Sequence, residues 1–189
     1  LLQFLNIKKA TVFGLSYGGW ISLALAIKNK HLLSNLILGS TLGSCLNTAI
    51  QPSESQDRII AYNNQETINN RCKAFANLLY SSNYIEKNPT IFNELRETIF
   101  TKAPNNKIIQ DRYKAAQNFD CTNQLNQITT PTLLLTGDND LTVPNKNSEM
   151  IAQSIEHSTV HKINNTGHLF IDEKPLVTTN IIKSFIQQT

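Results

Sequence analysis

The sequence contains little charge and no long apolar run. Charged residues make up 16% of its 189 residues, against about 25% in an average globular protein. The formal net charge of +3 is small and is spread along the chain without basic blocks, so we expect neither nucleic acid nor an anionic membrane as a partner. The longest apolar run, residues 20–27, includes Ser22 and ends at Lys28. It is shorter than the ~18 residues that a membrane helix requires, and we therefore expect no membrane span.

Cysteine is scarce as well, and its positions share no spacing pattern. Cys45, Cys72 and Cys121 lie far apart, which argues against a disulfide framework and against a zinc site. We interpret them as packing residues that are compatible with a reducing compartment. The sequence has no cluster of metal-ligating residues and no nucleotide-binding glycine pattern, so it predicts neither a metal nor a cofactor.

The chain also lacks an initial methionine. It begins at Leu1 without a leader-like segment, and we interpret this as the loss of the natural N-terminus. A removed signal peptide therefore stays open as an alternative to the cytoplasmic location that we expect. The hydrophobic content of 40% is typical of a folded domain and argues against a disordered segment.

What the sequence does contain is a strand–helix–strand pattern near its beginning. Residues 10–13 form a short apolar run that ends at Gly14, and residues 36–39 form another. Such runs predict buried strands. Residues 18–29, between them, are rich in Ala, Leu and Ile, which predicts a helix. Two apolar strands joined by a helix predict a parallel crossover in a sheet that is covered on both faces.

The end of the chain shows the same α/β pattern. Strands are predicted at residues 131–137 and 159–163, with a helix at 148–155 between them. An amphipathic helix is predicted over residues 175–187. Its inward face is predicted to consist of Val177, Ile181, Ile182 and Phe185.

Residues 45–127 differ from both ends. Apolar residues recur there at helical spacing among Asn, Gln and charged residues, and Pro89 and Pro104 stand where helices are expected to begin or to be separated. We predict a helical insertion here, between core segments 1–44 and 128–189. Two of its helices are expected to bury Ile68, Cys72, Phe75, Leu78 and Leu79, and Ile91, Leu95 and Ile99, respectively. The aromatic residues expected in its core are Tyr62, Tyr80, Tyr84, Phe92, Phe100 and Phe119.

A Gly-x-Ser-x-Gly pattern, Gly-Leu-Ser-Tyr-Gly at residues 14–18, stands between the first predicted strand and helix. It is typical of a sharp turn that lifts a nucleophilic serine, here Ser16, clear of the sheet. Small neighbours are needed there because the strand and the helix approach closely. The turn also aims the backbone N–H of Tyr17 at a developing oxyanion. We therefore expect Ser16 to be a nucleophile and Tyr17 to be an oxyanion donor.

The other residue types that serine chemistry requires follow later strands. A serine hydroxyl needs a base to take its proton, and the base needs a carboxylate to orient it. Asp138 and Asp140 come just after the strand at 131–137, and His168 comes just after the strand at 159–163. Because open α/β sheets place their sites at the carboxyl ends of strands, these residues are expected to meet Ser16. The pattern itself leaves open which aspartate is the acid.

In these motifs the chain resembles the serine hydrolases of the α/β-hydrolase fold, which have the order Ser, Asp, His along the chain. The resemblance extends from LLQFLNIKKATVFGLSYGGW through ITTPTLLLTGDNDLTVP to the last helix. It implies that the acid is Asp140, in a Gly-x-x-Asp segment followed by Pro, and that the base is His168, in a Gly-His pair. It also implies that the helical middle is a cap, as in enol-lactone hydrolases and small carboxylesterases.

The chain departs from the family pattern at its start. Family members have further strands before the nucleophile, together with the loop that supplies the second oxyanion N–H, whereas fifteen residues precede Ser16 here. We therefore expect an N-terminally truncated chain that forms the second half of a mostly parallel α/β-hydrolase sheet, with helices on both faces and a helical cap. Its strand near Val12 would form an uncovered edge that invites self-association or pairing with another chain.

These residues predict the hydrolysis of a small-molecule ester, lactone or related carbonyl compound. Ser16 attacks the carbonyl, His168 moves the proton, and Asp140 orients His168. Two alternatives stay open. One is an inactive remnant that acts as a binding module, which the missing oxyanion loop favours. The other is an acyltransferase or a C–C hydrolase, because enzymes of both kinds share these three residue types on this fold.

Overall fold

A computed structural model of the protein describes residues 1–2, 4–45, 67–97, 107–108, 111, 114–115 and 118–189. These ranges include both predicted α/β segments and part of the predicted insertion. Four residues singled out from the sequence, Tyr62, Ile99, Phe100 and Pro104, lie outside the described residues.

The centre of the protein is a sheet of four parallel strands in the order β1-β2-β3-β4. The strands are β1 (Ala10–Leu15), β2 (Leu33–Gly39), β3 (Thr132–Gly137) and β4 (Ser158–Ile163). The predicted α/β class and the parallel crossover are confirmed. β2 starts at residue 33 instead of residue 36, because residues on both sides of the polar Ser34 are buried in the sheet.

Helices flank this sheet. Those with described bounds are α1 (Tyr17–Lys28), α2 (Ile68–Leu79), α3 (Ser82–Lys87), α4 (Ile91–Arg96), α5 (Lys146–Ala152), α6 (Phe170–Glu173) and α7 (Pro175–Gln188), with 3₁₀ turns at Lys30–Leu32 and Thr122–Gln127. Within the described ranges, none of the helices combines the length and the apolarity needed to cross a membrane.

Burial along each strand follows its position in the sheet. All six residues of β3 and six of the seven residues of β2 are buried, whereas the outer strands β1 and β4 are only partly buried. A strand that is covered on both faces has to be apolar along nearly its whole length. This requirement explains the unbroken apolar runs from which β2 and β3 were predicted.

Alternate residues of the central strands supply two hydrophobic clusters, because successive side chains of a strand point to opposite faces. The first cluster, on the face covered by α1 and α5, includes Leu23, Leu36, Leu38, Leu134 and Ile151. The second, on the face covered by α6 and α7, includes Ile37, Leu133, Leu135, Ile163 and Phe170. Helices therefore cover both faces of the sheet, as predicted.

The inward face of α7 differs from the prediction at one position. Val177 is exposed, and Thr178 is buried in its place. The residues of α7 that face the sheet are Thr178, Ile181, Ile182 and Phe185. They follow the i, i+3, i+4, i+7 spacing of a helical stripe, in which Val177 has no place. Burying the threonine is tolerated because its hydroxyl donates to the Lys174 carbonyl at 2.9 Å.

The outer strand β1 pairs, within the described residues, only with β2. Val12 packs against the first hydrophobic cluster, and the neighbouring Phe13 is 38% exposed. The apolar edge that was expected near Val12 is thus centred one residue further along. Self-association through this edge stays a prediction.

The described helices of the middle segment form a small core of their own. Ala76, Tyr80, Ile91 and Leu95 are buried together. The predicted stripe of α2 is right at Cys72 but wrong at Ile68, which is exposed, because the first turn of α2 lies outside this core. Of the aromatic residues predicted as core, Tyr84 and Phe92 are partly buried in the same cluster, and Phe119 stacks on the ring of Trp20.

All three cysteines are free thiols, with Cys72 and Cys121 buried and Cys45 half-buried. Burial raises the pKa of the Cys121 thiol to about 11 and also raises the pKa of Cys45 above its usual value. Both side chains therefore stay protonated at neutral pH, as the packing interpretation requires.

The central strand β3 should dominate the stability of the sheet. Leu134 is fully buried, whereas Leu176 on α7 is 79% exposed. We expect Leu134→Ala to lower the free energy of unfolding by about 2–5 kcal/mol, because it leaves a cavity between two covered faces. The same truncation at Leu176 should change it by less than ~0.5 kcal/mol. Urea denaturation of both variants measures the difference, and equal losses would contradict the assignment of the core.

Candidate active site

The three residues predicted to act together follow strands of the same sheet. All four strands are parallel, so their carboxyl ends meet at one edge. Ser16 follows β1 directly, Asp140 comes three residues after β3, and His168 comes five residues after β4. The topology therefore gathers residues that are remote in the sequence at this edge.

Ser16 occupies a strained turn between β1 and α1. Its backbone has φ 51° and ψ −116°, a conformation that costs of order 1–3 kcal/mol in a residue other than glycine and persists only where the surroundings enforce it. The Ser16 N–H donates to the Gly39 carbonyl at 2.8 Å. The Ser16 carbonyl accepts from Thr41 Oγ1 and from the Gly19 N–H, each at 2.8 Å. Three hydrogen bonds thus hold the turn, and two of them come from β2 and the residues just after it.

Glycine is required in this turn at Gly14 and Gly19, although the motif points to Gly14 and Gly18. A Cβ on Gly14 would lie 2.3 Å from the Gly18 carbonyl oxygen, and a Cβ on Gly19 would lie 2.4 Å from Thr41 Oγ1. A Cβ on Gly18 would meet no heavy atom of the described residues within 4 Å. The crowding predicted for this turn is therefore present, and its second crowded position is Gly19, one residue beyond the motif.

The side chain of Ser16 does not help to build the turn. Ser16 stands at the N-cap of α1, where a serine hydroxyl usually accepts a backbone N–H, yet it makes no capping hydrogen bond. Tyr17 is the first residue of α1, and helices have no internal acceptor for the N–H groups of their first turn. A hydroxyl and a backbone donor therefore lie side by side at the positive end of the helix dipole.

His168 and Asp140 form a buried hydrogen-bonded pair. His168 Nδ1 lies 2.8 Å from Asp140 Oδ2, and the two residues are 3% and 5% exposed. The other carboxyl oxygen, Oδ1, accepts the backbone N–H groups of Thr142 and Val143, both at 2.8 Å. In the tautomer with its proton on Nδ1, the ring donates to Oδ2 and leaves Nε2 as an acceptor.

Asp138, the alternative acid, has a different contact. Its Oδ1 accepts the Thr166 N–H at 3.2 Å, and the Asn139 N–H donates to the Thr166 carbonyl at 3.0 Å. Asp138 therefore ties the loop after β3 to the loop after β4. The structure places Asp140, and not Asp138, against the His168 ring.

The loop that bears His168, residues 164–169, packs directly on the end of β3. A Cβ on Gly137 would lie 2.2 Å from the Gly167 carbonyl oxygen and 2.4 Å from that of Thr166, so only glycine allows this approach. The Thr166 hydroxyl donates to the Ile163 carbonyl at 2.7 Å, which closes the loop on its own strand. We call residues 164–169 the base loop.

The residue just after the base loop packs in one cluster with the residue just before Ser16. β1 and β4 are separated by two strands, a gap of about 14 Å at ~4.8 Å per strand. The two clustered residues are Phe170 and Leu15. No hydrogen bond joins the Ser16 hydroxyl to the His168 ring, both of which are described. The predicted contact between Ser16 and His168 therefore stays a prediction.

A cleft of about 670 Å³ opens beside the acid. It lies between residues 138–141, after β3, and the junction of α2 with α3, and its lining includes Asn77, Tyr80, Ser81, Asp140 and Asn165. The helical segment thus forms one wall of the space next to the buried pair.

Two contributors to the site were missed from the sequence. Thr41 holds the carbonyl of Ser16, and Glu173 accepts the Gly167 N–H at 2.7 Å. Neither belongs to a motif with Ser16 or His168, and a threonine after a strand has no distinctive sequence signal. Glu173 offered a weak signal, as an acidic residue a few positions after the predicted base.

The chain matches a family of known proteins over most of its length. A family model described as alpha/beta hydrolase fold matches residues 1–175. The chain belongs to the alpha/beta hydrolase fold family. The resemblance inferred from the motifs is therefore confirmed, and it extends over nearly the whole chain.

Several relatives in this family match the chain along almost its full length. The proline iminopeptidase PfmaB of Pestalotiopsis fici is 26% identical over 196 residues, which cover 96% of this chain and 68% of the relative. The pimeloyl-(acyl-carrier protein) methyl ester esterase of Wigglesworthia glossinidia brevipalpis is 25% identical, with 96% of this chain and 71% of the relative covered. A solved thermophilic esterase from Thermogutta terrifontis has a TM-score of 0.78 and 25% identity, with 99% and 68% covered. Family membership, with hydrolases among the relatives, makes the protein a hydrolase by class.

The strained turn generates a prediction with its own control. We expect Gly14→Ala to lower the free energy of unfolding by about 1–3 kcal/mol, because its Cβ would collide with backbone. Gly18→Ala should leave stability unchanged or raise it by up to ~1 kcal/mol, because the site is open and alanine favours a helix over glycine. Thermal and urea unfolding measure both variants. A larger loss at Gly18 than at Gly14 would contradict the geometry of the turn.

Proposed function

We propose that the protein is a serine hydrolase that cleaves carboxylic esters, lactones or related carbonyl compounds through an acyl-enzyme. Ser16 is the nucleophile, His168 the general base and acid, and Asp140 the carboxylate that orients His168. One observation above all supports this proposal. A histidine–carboxylate pair is buried at the same sheet edge as a serine whose strained turn leaves its hydroxyl uncommitted.

The reaction uses each group at a stated atom. Ser16 Oγ forms a bond to the substrate carbonyl carbon while His168 Nε2 takes its proton. His168 then gives this proton to the leaving-group oxygen as the bond between carbonyl carbon and leaving group breaks, and an acyl ester on Ser16 remains. Water attacks this ester with His168 again as base, which releases the acid and restores the hydroxyl.

Charge on the carbonyl oxygen requires hydrogen-bond donors in the transition state. The Tyr17 N–H supplies one, since it lies directly after the nucleophile at the start of α1. By resemblance to the family, the second donor comes from a loop that precedes the nucleophile strand. Loss of one such donor typically lowers turnover ~10²–10³-fold.

The relatives favour carbonyl substrates. The methyl ester esterase and the thermophilic esterase are named for esters, and the iminopeptidase is named for a peptide substrate. Esters and peptides are both acyl derivatives, and Ser16 could transfer the acyl group of either to water.

Covalent labelling tests the nucleophile. A fluorophosphonate should modify the protein at Ser16, and Ser16→Ala should reduce labelling at least 100-fold. Ser40→Ala is the matched control, because Ser40 follows β2 at the same sheet edge and also has a positive φ, of 41°. It should label like the wild type. Equal labelling of the Ser16→Ala variant and the wild-type protein would refute the assignment of Ser16 as the nucleophile.

The product distinguishes hydrolysis from the alternatives. Hydrolysis of p-nitrophenyl acetate by the wild type, abolished in Ser16→Ala, supports the proposal. Transfer of the acetyl group to an added alcohol in preference to water would indicate an acyltransferase. Labelling and turnover that are both absent would favour the binding module.

The two aspartates give a second test. We expect Asp140→Asn to slow labelling of Ser16 about 10³–10⁴-fold, because the amide cannot stabilise the His168 cation or hold its tautomer. Asp138→Asn keeps the His168 contact and should slow labelling less than tenfold. Labelling rates measured by gel fluorescence compare the two, and the reverse order would assign the acid to Asp138.

A further inference from the structure

Glu173, the last residue of α6, joins two separate segments of the chain. Its Oε1 accepts the Gly167 N–H at 2.7 Å and the Ser81 N–H at 2.9 Å, and its Oε2 accepts the Ser81 hydroxyl at 2.5 Å. Gly167 belongs to the base loop, and Ser81 is the N-cap of α3. One carboxylate therefore connects the loop of the proposed base with the helical segment.

The base loop depends on these contacts on both sides of His168. The residue before it, Gly167, donates its N–H to Glu173. The residue after it, Leu169, donates its N–H to the Leu79 carbonyl at 2.9 Å, at the end of α2. The contact is close, because a Cβ on Gly167 would lie 2.8 Å from the backbone carbon of Tyr80. The backbone of the proposed base is thus clamped against the junction of α2 with α3.

The charge of Glu173 suits this position better than a neutral acceptor would. A carboxylate accepts hydrogen bonds at both oxygens, and bonds to a charged acceptor are about twice as strong as neutral ones. A glutamine could keep its carbonyl oxygen on the Gly167 and Ser81 N–H groups while its NH₂ donates to the Ser81 hydroxyl, which is an acceptor as well as a donor. Removal of all three contacts therefore requires truncation of the side chain, as in Glu173→Ala.

We infer that Glu173 is a positioning residue, which fixes the base loop and makes the placement of His168 depend on the junction of α2 with α3. This inference rests on the proposed function for the role of His168. The contacts themselves do not depend on it.

The preceding residue, Asp172, provides a matched control. Its Oδ2 accepts the Tyr80 hydroxyl at 3.0 Å, whereas its bond to the base loop comes from its backbone N–H, which donates to the Leu169 carbonyl at 3.0 Å and does not depend on the side chain. Burial, and then the Asp172 carboxylate, raise the pKa of Tyr80 above its usual value, which keeps this hydroxyl a donor. Asp172→Ala removes a charge next to Glu173 and the side-chain contact with the same segment, but leaves the Gly167 bond in place.

Proton NMR of the full chain tests the inference without relying on turnover. The Nδ1 proton of His168, bonded to a buried carboxylate, should give a far-downfield resonance, which Asp140→Asn assigns by abolishing it. In Glu173→Ala we expect this resonance to shift or broaden and the Gly167 amide to exchange at least tenfold faster with solvent. In Asp172→Ala both signals should match the wild type. Fluorophosphonate labelling of Ser16 should slow at least tenfold in Glu173→Ala only.

Distinct outcomes separate the failure of this inference from the failure of the proposed function. An unchanged His168 resonance and Gly167 exchange rate in Glu173→Ala, or the same changes in Asp172→Ala, would overturn the positioning role. Absence of labelling in every protein, with the NMR changes as expected, would refute only the serine mechanism. If Glu173→Ala does not fold, Ser81→Ala replaces it. That variant should speed Gly167 exchange at least threefold, and no change would overturn the coupling.

Discussion

The hydrogen bond between His168 and Asp140 is the interaction on which the proposed site depends. It is buried and 2.8 Å long, and it joins the loops that follow β3 and β4. Such a pair is stable in the interior only if the remaining lone pairs of the carboxylate find donors. The N–H groups of Thr142 and Val143 supply them. The pair therefore fixes the orientation of the His168 ring and at the same time holds two loops relative to each other.

The parallel sheet places the buried pair and Ser16 at the same edge of the sheet. Strand direction places all three loops at one edge, but strand spacing leaves β1 and β4 well apart. Two close approaches reduce the gap, since the base loop packs on Gly137 and Phe170 shares a cluster with Leu15. Strain is concentrated at Ser16, where β2 and Thr41 hold the backbone in place. The rigid centre of the sheet thus stabilises the least favourable conformation at its edge.

Sequence patterns predicted the features that depend on residues close together in the chain. Apolar runs predicted the strands and the crossover, because buried strands have to be apolar. One short motif predicted the serine turn, because the turn requires small residues. Features that depend on contacts between remote segments were not predictable in this way. Residues alone left Asp138 and Asp140 equivalent, since the difference lies in which one reaches His168. The burial of Thr178 and the roles of Thr41 and Glu173 likewise depend on partners far away in the sequence.

The helical segment contacts the loop that bears His168, and it also lines the cleft beside Asp140. In many enzymes a helical insertion only shapes the entrance to a site, and its residues are then free to vary with the substrate. Here the junction of α2 with α3 accepts the Leu169 N–H and approaches Gly167 within contact distance, so any shift of this junction moves the backbone on both sides of His168. Under the proposed function, a substitution at the junction would therefore change the cleft beside Asp140 and the position of His168 together. Such coupling limits how far this segment can change without loss of the arrangement at the sheet edge.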